Sequence, residues 1–347
     1  MQISRNKQVI TIGSVTEDLI FLAQENQILP GKSALCEKIM AFELGAKIPV
    51  GKIKTSMGGA GANVAAGLAK LGIGCRANVA VGGDDTGKKL RRNLQRTGVD
   101  VGLCQIVHES ETDRSVILVD PIGRDRVIFY NRDAGRKLKL KEISQWKTEW
   151  VFISSLTEGW ENKLGQILKL RKEKGVKVAW NPGRLQLKAG IKFLSPLLKE
   201  LSILFLNWDE ALELALSDRE FAQKYHQKAP TKKTVIKFLQ GFGPKIVVIT
   251  LGRRGSLTTD GYAYIKAPTL SPKRVELTGA GDAYASGFLA SWIRHPEDLK
   301  KATAWGIANA GSAVLYFGAE KGLLTLSQMR RKVNSVIMDV VIEESRL

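Results

Sequence analysis

Short apolar runs alternate with longer amphipathic segments along most of the chain. The runs are bounded by turn residues, as in strands buried on both faces, and they cover residues 9–12, 77–81, 151–153, 176–179, 203–206 and 246–250. The segments between them, such as 164–174 and 210–216, repeat their apolar residues with the period of a helix. This alternation predicts an α/β protein whose mainly parallel sheet is covered by helices on both faces.

Two stretches depart from this rhythm. Residues 32–55 and 104–130 contain alternating apolar and polar side chains, which is typical of strands with one solvated face. In the second stretch, two such segments flank the turn residues Pro121 and Gly123, so we predict an antiparallel hairpin there. These pieces predict a small sheet beside the main one.

Composition adds one unusual feature to this picture, the charge. The chain has 347 residues, 44% hydrophobic and 25% charged, which excludes a disordered chain, a collagen and a disulfide scaffold. Its net charge of +19 is typical of proteins that bind nucleic acid, anionic membranes or phosphate-rich ligands. However, the basic residues are interleaved with acids along the whole length and form no basic tail.

Cysteine usage and the N-terminus bear on the compartment. The three cysteines, Cys36, Cys75 and Cys104, form no C-x-x-C pair, which indicates a reducing environment. The N-terminus has no apolar signal core, and no run reaches the roughly 18 apolar residues of a membrane span. We therefore expect a cytoplasmic protein with no membrane partner.

The segment most clearly suited to chemistry is Thr278-Gly279-Ala280-Gly281-Asp282, which leads into an apolar helix. Free backbone N–H groups in the first turn of a helix form an anion hole for a phosphate, and the glycines leave it open. A carboxylate at Asp282 can accept a proton from a hydroxyl that attacks the phosphate. The alternative is that Asp282 is an N-cap and that the glycines only make a turn.

Two further glycine segments are weaker signals by themselves. The segment from Gly58 and Gly59 to Asn63 precedes a helix, and the Asn63 amide offers a donor and an acceptor to a hydroxylated substrate. The segment from Thr250 to Gly255 follows a strand and is a possible triphosphate cradle. In each case the alternative is an ordinary turn.

Other catalytic and phosphate-binding motifs are excluded. Gly31-Lys32-Ser33 resembles the end of a P-loop, but Asn26 stands where that pattern needs glycine. No strand is followed by G-x-G-x-x-G, and there is no G-x-S-x-G elbow. The three histidines have no partner at metal-binding spacing.

Taken together and in this order, the motifs resemble those of the ribokinase (PfkB) family of sugar and nucleoside kinases, from about residue 9 to residue 319. The resemblance implies a single domain over residues 1–347 with a three-layer α/β/α ribokinase-like fold. It also implies a small β-sheet lid, with strands from about 32–55 and 104–130.

The resemblance also implies a role for each matching residue. It makes Asp282 the general base and Gly279, Ala280 and Gly281 the anion hole, and it assigns substrate binding to Asp18, Gly58, Gly59 and Asn63. It assigns Asn207, Thr250, Gly252, Gly255 and Asn309 to the nucleotide, with Asn309 on the adenine side, and it links Glu210 indirectly to the Mg²⁺ network.

The implied reaction is transfer of the γ-phosphoryl group of ATP, with Mg²⁺, to a hydroxyl of a small ribose- or fructose-like sugar. Two alternatives stay open: a nucleoside (adenosine-like) kinase of the same family, and a catalytically weak nucleic-acid-binding protein on this scaffold. Relatives of this kind also form homodimers through their lids. Glu276 stands where potassium-dependent members carry Asp, so the sequence leaves potassium activation open.

Overall fold

The computed structural model describes residues 9–22, 27–33, 36–51, 53–120, 126–270 and 278–344. In chain order the strands are β1 (Val9–Ile12), β2 (Thr16–Leu22), β3 (Gln27–Ser33), β4 (Cys36–Ala41), β5 (Lys54–Gly58), β6 (Cys75–Asn78), β7 (Ala80–Gly82), β8 (Gln105–Val107), β9 (Arg114–Val119), β10 (Arg126–Asn131), β11 (Trp150–Ile153), β12 (Lys177–Trp180), β13 (Ile203–Asn207), β14 (Ile246–Thr250), β15 (Ser256–Thr259), β16 (Ala263–Ala267) and β17 (Val341–Glu344).

The α-helices of the same residues are α1 (Ala60–Lys70), α2 (Asp85–Arg96), α3 (Trp160–Lys174), α4 (Arg184–Lys188), α5 (Ile191–Leu198), α6 (Trp208–Leu216), α7 (Arg219–Lys224), α8 (Lys232–Gln240), α9 (Ala280–Arg294), α10 (Leu299–Ala313) and α11 (Leu326–Ile337). Within these residues, no helix is both long and apolar enough to cross a membrane.

The central sheet confirms the predicted α/β class. Its strand order in the described residues is β17-β16-β15-β14-β13-β12-β11-β1-β6, parallel from β6 to β14 and antiparallel from β14 to β17. Successive strand residues enter opposite cores: Val9 packs in the cluster that includes α1 and α9, and Ile10 in the one that includes α3 and α6. The result is a three-layer α/β/α arrangement.

A second, four-stranded sheet has the order β10-β9-β2-β5, and we call it the small sheet. Strands β9 and β10 pair antiparallel, as the hairpin prediction required, while the turn residues 121–125 lie outside the described residues. Strand β2 runs parallel to β9 and antiparallel to β5. Because Thr16 of β2 pairs with Gly58 of β5, and α1 begins two residues after Gly58, this sheet brings Asp18 close to the start of α1.

The strands of the small sheet differ in part from the predicted segments 32–55 and 104–130. Strand β2 lies outside both, β4 forms a separate hairpin with β3, and β8 pairs with β7 instead of joining this sheet. The physical reason for missing β2 is its buried face, which carries Thr16 and Asp18. Polar residues on the covered face remove the apolar alternation by which such a strand is recognised.

Candidate active site

The first turn of α9 has the geometry of an open anion hole. Gly279 precedes the helix with φ +76°, and a Cβ there would lie 2.4 Å from the Ala319 Cβ, so only glycine fits. At Gly281 a Cβ would meet no atom within 4 Å, so the space over this turn is empty. The backbone N–H groups of Ala280, Gly281 and Asp282 therefore face a cradle suited to a phosphate.

Asp282 is not the N-cap of this helix, so the capping alternative is wrong. The N-cap is Gly279, and the Asp282 carboxylate instead accepts a hydrogen bond from Asn63 Nδ2 at 2.8 Å. Burial raises the pKa of Asp282 to about 6; the Asn63 hydrogen bond lowers it, and the negative charge of Asp18 raises it further. A carboxylate with this pKa is ionised at neutral pH and close to the value that favours proton transfer.

Asn63 reaches this position from the first turn of α1. Its Nδ2 is engaged by Asp282, but its buried Oδ1 has no hydrogen-bond partner in the described part of the chain. The Thr278 hydroxyl, just before α9, is likewise buried without a described partner. Buried polar atoms are rarely left unpaired in proteins, so these two atoms are free to bind a polar ligand.

Asp18 forms the opposite wall of the site. Its side chain is buried, and its Oδ1 accepts hydrogen bonds from the hydroxyls of Thr16 and Ser115. A Cβ on Gly58 would lie 1.9 Å from Asp18 Oδ2, so the absence of a side chain at Gly58 makes room for this carboxylate. Burial raises the pKa of Asp18, and the two hydroxyls together with the charge of Arg132 lower it.

Thr16 and Ser115 are site residues that the sequence reasoning missed. Thr16 lies on β2 and Ser115 on β9, both in the small sheet. Ser115 and the Asp18 side chain that it contacts are 97 positions apart in the sequence. Gly59 is the N-cap of α1 and directly follows Gly58 in the chain. The one available signal was the pair of polar residues Thr16 and Asp18, which lie two positions apart on β2.

Three of the five residues expected to bind the nucleotide line a separate pocket that opens onto the same turn of α9, and we call it the nucleotide pocket after that expectation. Thr250 is the last residue of β14, and Gly252 and Gly255 lie just after the strand; all three share this pocket with Ala280 and Gly281. Its far wall is one face of α10, formed by Ile307, Ala310, Gly311 and Val314. Small residues there leave a slot between α10 and the turn after β14. These four residues were missed, although their spacing of three, four and seven defines one helix face.

Asn309 does not line this pocket, which corrects its expected adenine-side role. It is fully buried, its Nδ2 donates to the Ala283 carbonyl and to Ser286 Oγ, and its Oδ1 accepts from the Leu324 N–H. All of these bonds fasten α10 to α9 and to the segment before α11. Asn309 points to the opposite side of α10 from the pocket residues, so its amide is structural.

Asn207 and Glu210 form a capping box at the start of α6. The Glu210 N–H donates to Asn207 Oδ1, and the Asn207 N–H donates to Glu210 Oε2, both at 2.9 Å. Burial raises the pKa of Glu210 to about 7; the Asn207 and Asn181 hydrogen bonds lower it, and the charge of Asp282 raises it. Glu210 is thus within electrostatic reach of Asp282, although neither residue of the box lines the nucleotide pocket.

The donor set is one that suits a phosphate-bound cation. In the described ranges, no group of three or more His, Cys, Asp or Glu side chains is arranged to hold a metal ion. Mg²⁺ in phosphoryl-transfer sites needs fewer protein ligands, because phosphates and waters fill most positions. The charge of Asp282 raises the pKa of Glu210, so the two carboxylates are close enough to face one such ion. Glu276 lies outside the described residues.

Comparison with known proteins gives a consistent result. The family model described as pfkB family carbohydrate kinase matches residues 8–326. An ATP-dependent ribose-1-phosphate kinase of Halopiger xanaduensis is 29% identical over 262 residues, which cover 74% of this chain and 81% of that protein.

Two solved structures share the fold. The Arabidopsis thaliana ribokinase complexed with ribose and ATP aligns with a TM-score of 0.75 at 20% identity, over 94% of this chain and 98% of that one. The Methanocaldococcus jannaschii nucleoside kinase aligns with a TM-score of 0.72 at 21% identity, over 95% and 98% of the two chains.

Proposed function

This chain belongs to the pfkB family of carbohydrate kinases, and from that premise we propose that it transfers the γ-phosphoryl group of ATP to a hydroxyl of a small ribose- or fructose-like sugar. As a member of this family it is a phosphotransferase acting on sugar or nucleoside hydroxyls. The observation that carries the specific proposal is the meeting of Asp282 with an open backbone cradle on one side and buried, unpaired polar atoms on the other.

Asp282 acts as the general base in this proposal. Its carboxylate takes the proton from the sugar hydroxyl while the hydroxyl oxygen forms a bond to the γ-phosphorus and the bond from that phosphorus to the bridging oxygen of ADP breaks. Asn63 fixes the carboxylate through the 2.8 Å hydrogen bond. The N–H groups of Ala280, Gly281 and Asp282 stabilise the negative charge on the transferring group.

The sugar that receives the phosphoryl group lies between Asp18 and Asn63 in this proposal. The second carboxylate oxygen of Asp18 and the free Oδ1 of Asn63 are acceptors, so each takes a hydrogen bond from a substrate hydroxyl. Two acceptors directed at neighbouring hydroxyls suit a polyol ring. The nucleoside alternative offers the same hydroxyls on its ribose, and the structural likeness to a nucleoside kinase keeps it as the second candidate.

ATP and Mg²⁺ are the proposed cosubstrate and cofactor. The pocket between Thr250, Gly252, Gly255 and α10 takes the nucleotide, and its apolar wall suits a flat base. Glu210 and Asp282 are the carboxylates that would face the ion, Glu210 through water. When bound, Mg²⁺ neutralises charge on the β- and γ-phosphates.

We further propose that the enzyme works in the cytoplasm and pairs as a homodimer through the small sheet. Strand β10 is an edge strand of that sheet, and its side chains Phe129 and Tyr130 are 56% and 68% exposed. Exposed aromatic residues on an unpaired edge favour association.

An acceptor panel tests the proposed reaction. ADP formation is followed with ribose, fructose, ribose 1-phosphate, adenosine and inosine, and a reaction without acceptor gives the background ATPase rate. We expect one pentose- or hexose-like acceptor to raise ADP formation by about 100-fold or more, since a bound alcohol replaces water as nucleophile. Turnover with adenosine or inosine alone would favour the nucleoside alternative, and background rates with every acceptor would contradict the proposed reaction.

The pH profile tests the base. Because Asp282 must be ionised to accept the proton and has a pKa of about 6 in the free enzyme, kcat/KM should be level above pH 6 and fall below it. The expected slope is about tenfold per pH unit on the acid side. The Asp282→Asn variant is the control, because ATP and the buffer titrate in its assays as they do with the wild type. The fall in rate below pH 6, the acid limb of the profile, should be absent from this variant. An unchanged acid limb in that variant would assign the limb to another group.

A further inference from the structure

A basic pocket of about 580 Å³ lies where the C-terminal end of α9, α10 and α11 meet. We call it the rear pocket. It has basic side chains on one part of its lining and apolar side chains on the rest. The basic ones are Arg294, His295, Lys301 and Arg330, and the remainder are Ile73, Ile293, Trp305, Leu326, Val333 and Asn334.

The rear pocket is separate from the proposed active site. Helix α9 has 15 residues and begins beside Asp282, whereas Arg294 is its last residue. At about 1.5 Å per residue, the two ends are roughly 20 Å apart. None of the residues that line the nucleotide pocket lines the rear pocket.

Among the described residues, the lining of the rear pocket contains basic side chains and no acidic ones. Within the described part of the chain, no carboxylate lies within ion-pair distance of Arg294, Lys301 or Arg330. The neighbouring Asp298 is the N-cap of α10, and its Oδ1 accepts the Lys301 N–H. Burial first, and then the charge of Arg330, lower the pKa of Arg294.

Two buried donors in the wall also lack partners. Trp305 is 2% exposed, and its indole N–H makes no hydrogen bond among the described residues; the same is true of the Arg294 Nε. The terminal NH2 of Arg294 is held by the carbonyls of Leu71 and Gly72 at 2.9 Å, which orients the guanidinium. Leaving a buried donor without an acceptor is unfavourable, and these two donors belong to residues that line the rear pocket.

We propose that the rear pocket is a binding site for a phosphate monoester, held by Arg294, Lys301 and Arg330, with its organic part against the apolar wall. Guanidinium and ammonium groups are the usual ligands of phosphate. The wall of Ile293, Leu326 and Val333 matches an organic moiety and not a free inorganic ion. The volume lies in the range of small-molecule sites. Sugar phosphates and nucleoside monophosphates share this chemistry.

Calorimetric titration of the full-length protein tests this site. The probes are ribose 5-phosphate, AMP and inorganic phosphate, each titrated into the wild type and into Arg330→Glu, Lys301→Gln and Arg331→Glu. Arg331 is exposed on the same helix but does not line the pocket, so it is the matched control for charge. We expect at least one ester to bind Arg330→Glu and Lys301→Gln at least about tenfold more weakly than it binds the wild type. Its affinity for Arg331→Glu should be nearly the same as for the wild type.

Other outcomes overturn the proposal. It fails if no ester binds at millimolar concentration, if Arg330→Glu binds as the wild type does, or if Arg331→Glu loses as much affinity as Arg330→Glu. Binding of inorganic phosphate as tight as that of both esters would overturn the role of the apolar wall. Arg330 is exposed, so the variant should fold, and a wild-type kcat in the kinase assay verifies this independently of the rear pocket.

Discussion

Replacing Asp282 with Asn is expected to lower kcat by about 10²–10⁴-fold, because a positioned general base contributes that much to proton transfer. The amide has the shape of the carboxylate, and its oxygen can still accept the hydrogen bond from Asn63 Nδ2. The KM values for ATP and sugar should therefore stay within about threefold, since the lost interaction belongs to the transition state. Steady-state kinetics with the acceptor identified by the panel measures both quantities.

The matched control is Glu173→Gln, the same chemical change on α3. That side chain is 51% exposed and forms an exposed ion pair with Lys169 on the same helix. Its kcat should equal that of the wild type, and the thermal unfolding temperatures of all three proteins should agree. An Asp282→Asn enzyme that retained activity within about tenfold of the wild type would rule out Asp282 as the base.

Replacing Asp18 with Asn is expected to have the second largest effect, a fall of about 100-fold or more in kcat/KM for the sugar. A buried carboxylate that accepts substrate hydroxyls contributes about 1.5–3 kcal/mol per hydrogen bond. In the variant an amide NH2 group replaces one carboxylate oxygen, and this group cannot accept a hydrogen bond from a hydroxyl. The KM for ATP should not change, because Asp18 does not line the nucleotide pocket.

Glu17→Gln is the control for this variant. Glu17 comes immediately before Asp18 on β2 and lies on the other face of the strand, where its carboxylate pairs with Lys89 at 2.9 Å and Arg114 at 3.6 Å. It makes the same carboxylate-to-amide change on the same strand without touching the site. If Glu17→Gln and Asp18→Asn reduced kcat/KM equally, the loss would come from a disturbed small sheet and not from substrate binding.

The central sheet was predictable because its strands are buried on both faces. A parallel strand covered by helices on both faces is apolar at nearly every position, and β1 and β14 therefore match the predicted runs 9–12 and 246–250. The run 77–81 was less informative. It is divided at Val79 between β6 in the central sheet and β7, which pairs with β8, and an uninterrupted apolar run carries no sign of such a change of sheet.

The small sheet was harder to predict because its buried face is partly polar. Thr16, Asp18 and Ser115 are buried polar residues on β2 and β9, where apolar residues normally mark the covered face. The resemblance assigned Asp18 to the substrate, but it did not identify the strand that carries Asp18. In the proposed function, the polar groups on that face bind the hydroxyls of the sugar.

Within the site, local motifs and long-range contacts were predictable to different degrees. The segment 278–282 determines its own geometry, because Gly279 adopts a positive φ and the next residues begin a helix with free N–H groups. Asn309 shows the opposite case. Its role depends on which face of α10 meets α9, and packing turned the amide towards Ala283 and Leu324.

The sequence by itself determined the order of strands and helices, the anion-hole turn and the residue types that carry chemistry, because these depend on neighbours in the chain. The tertiary structure decided which of them meet. It brought Asn63 to Asp282 across 219 positions and put Asp18 within electrostatic reach of Asp282. It also turned Asn309 towards α9 and gathered Arg294, Lys301 and Arg330 into the rear pocket. Such contacts arise from the packing of helix faces, which no local pattern encodes.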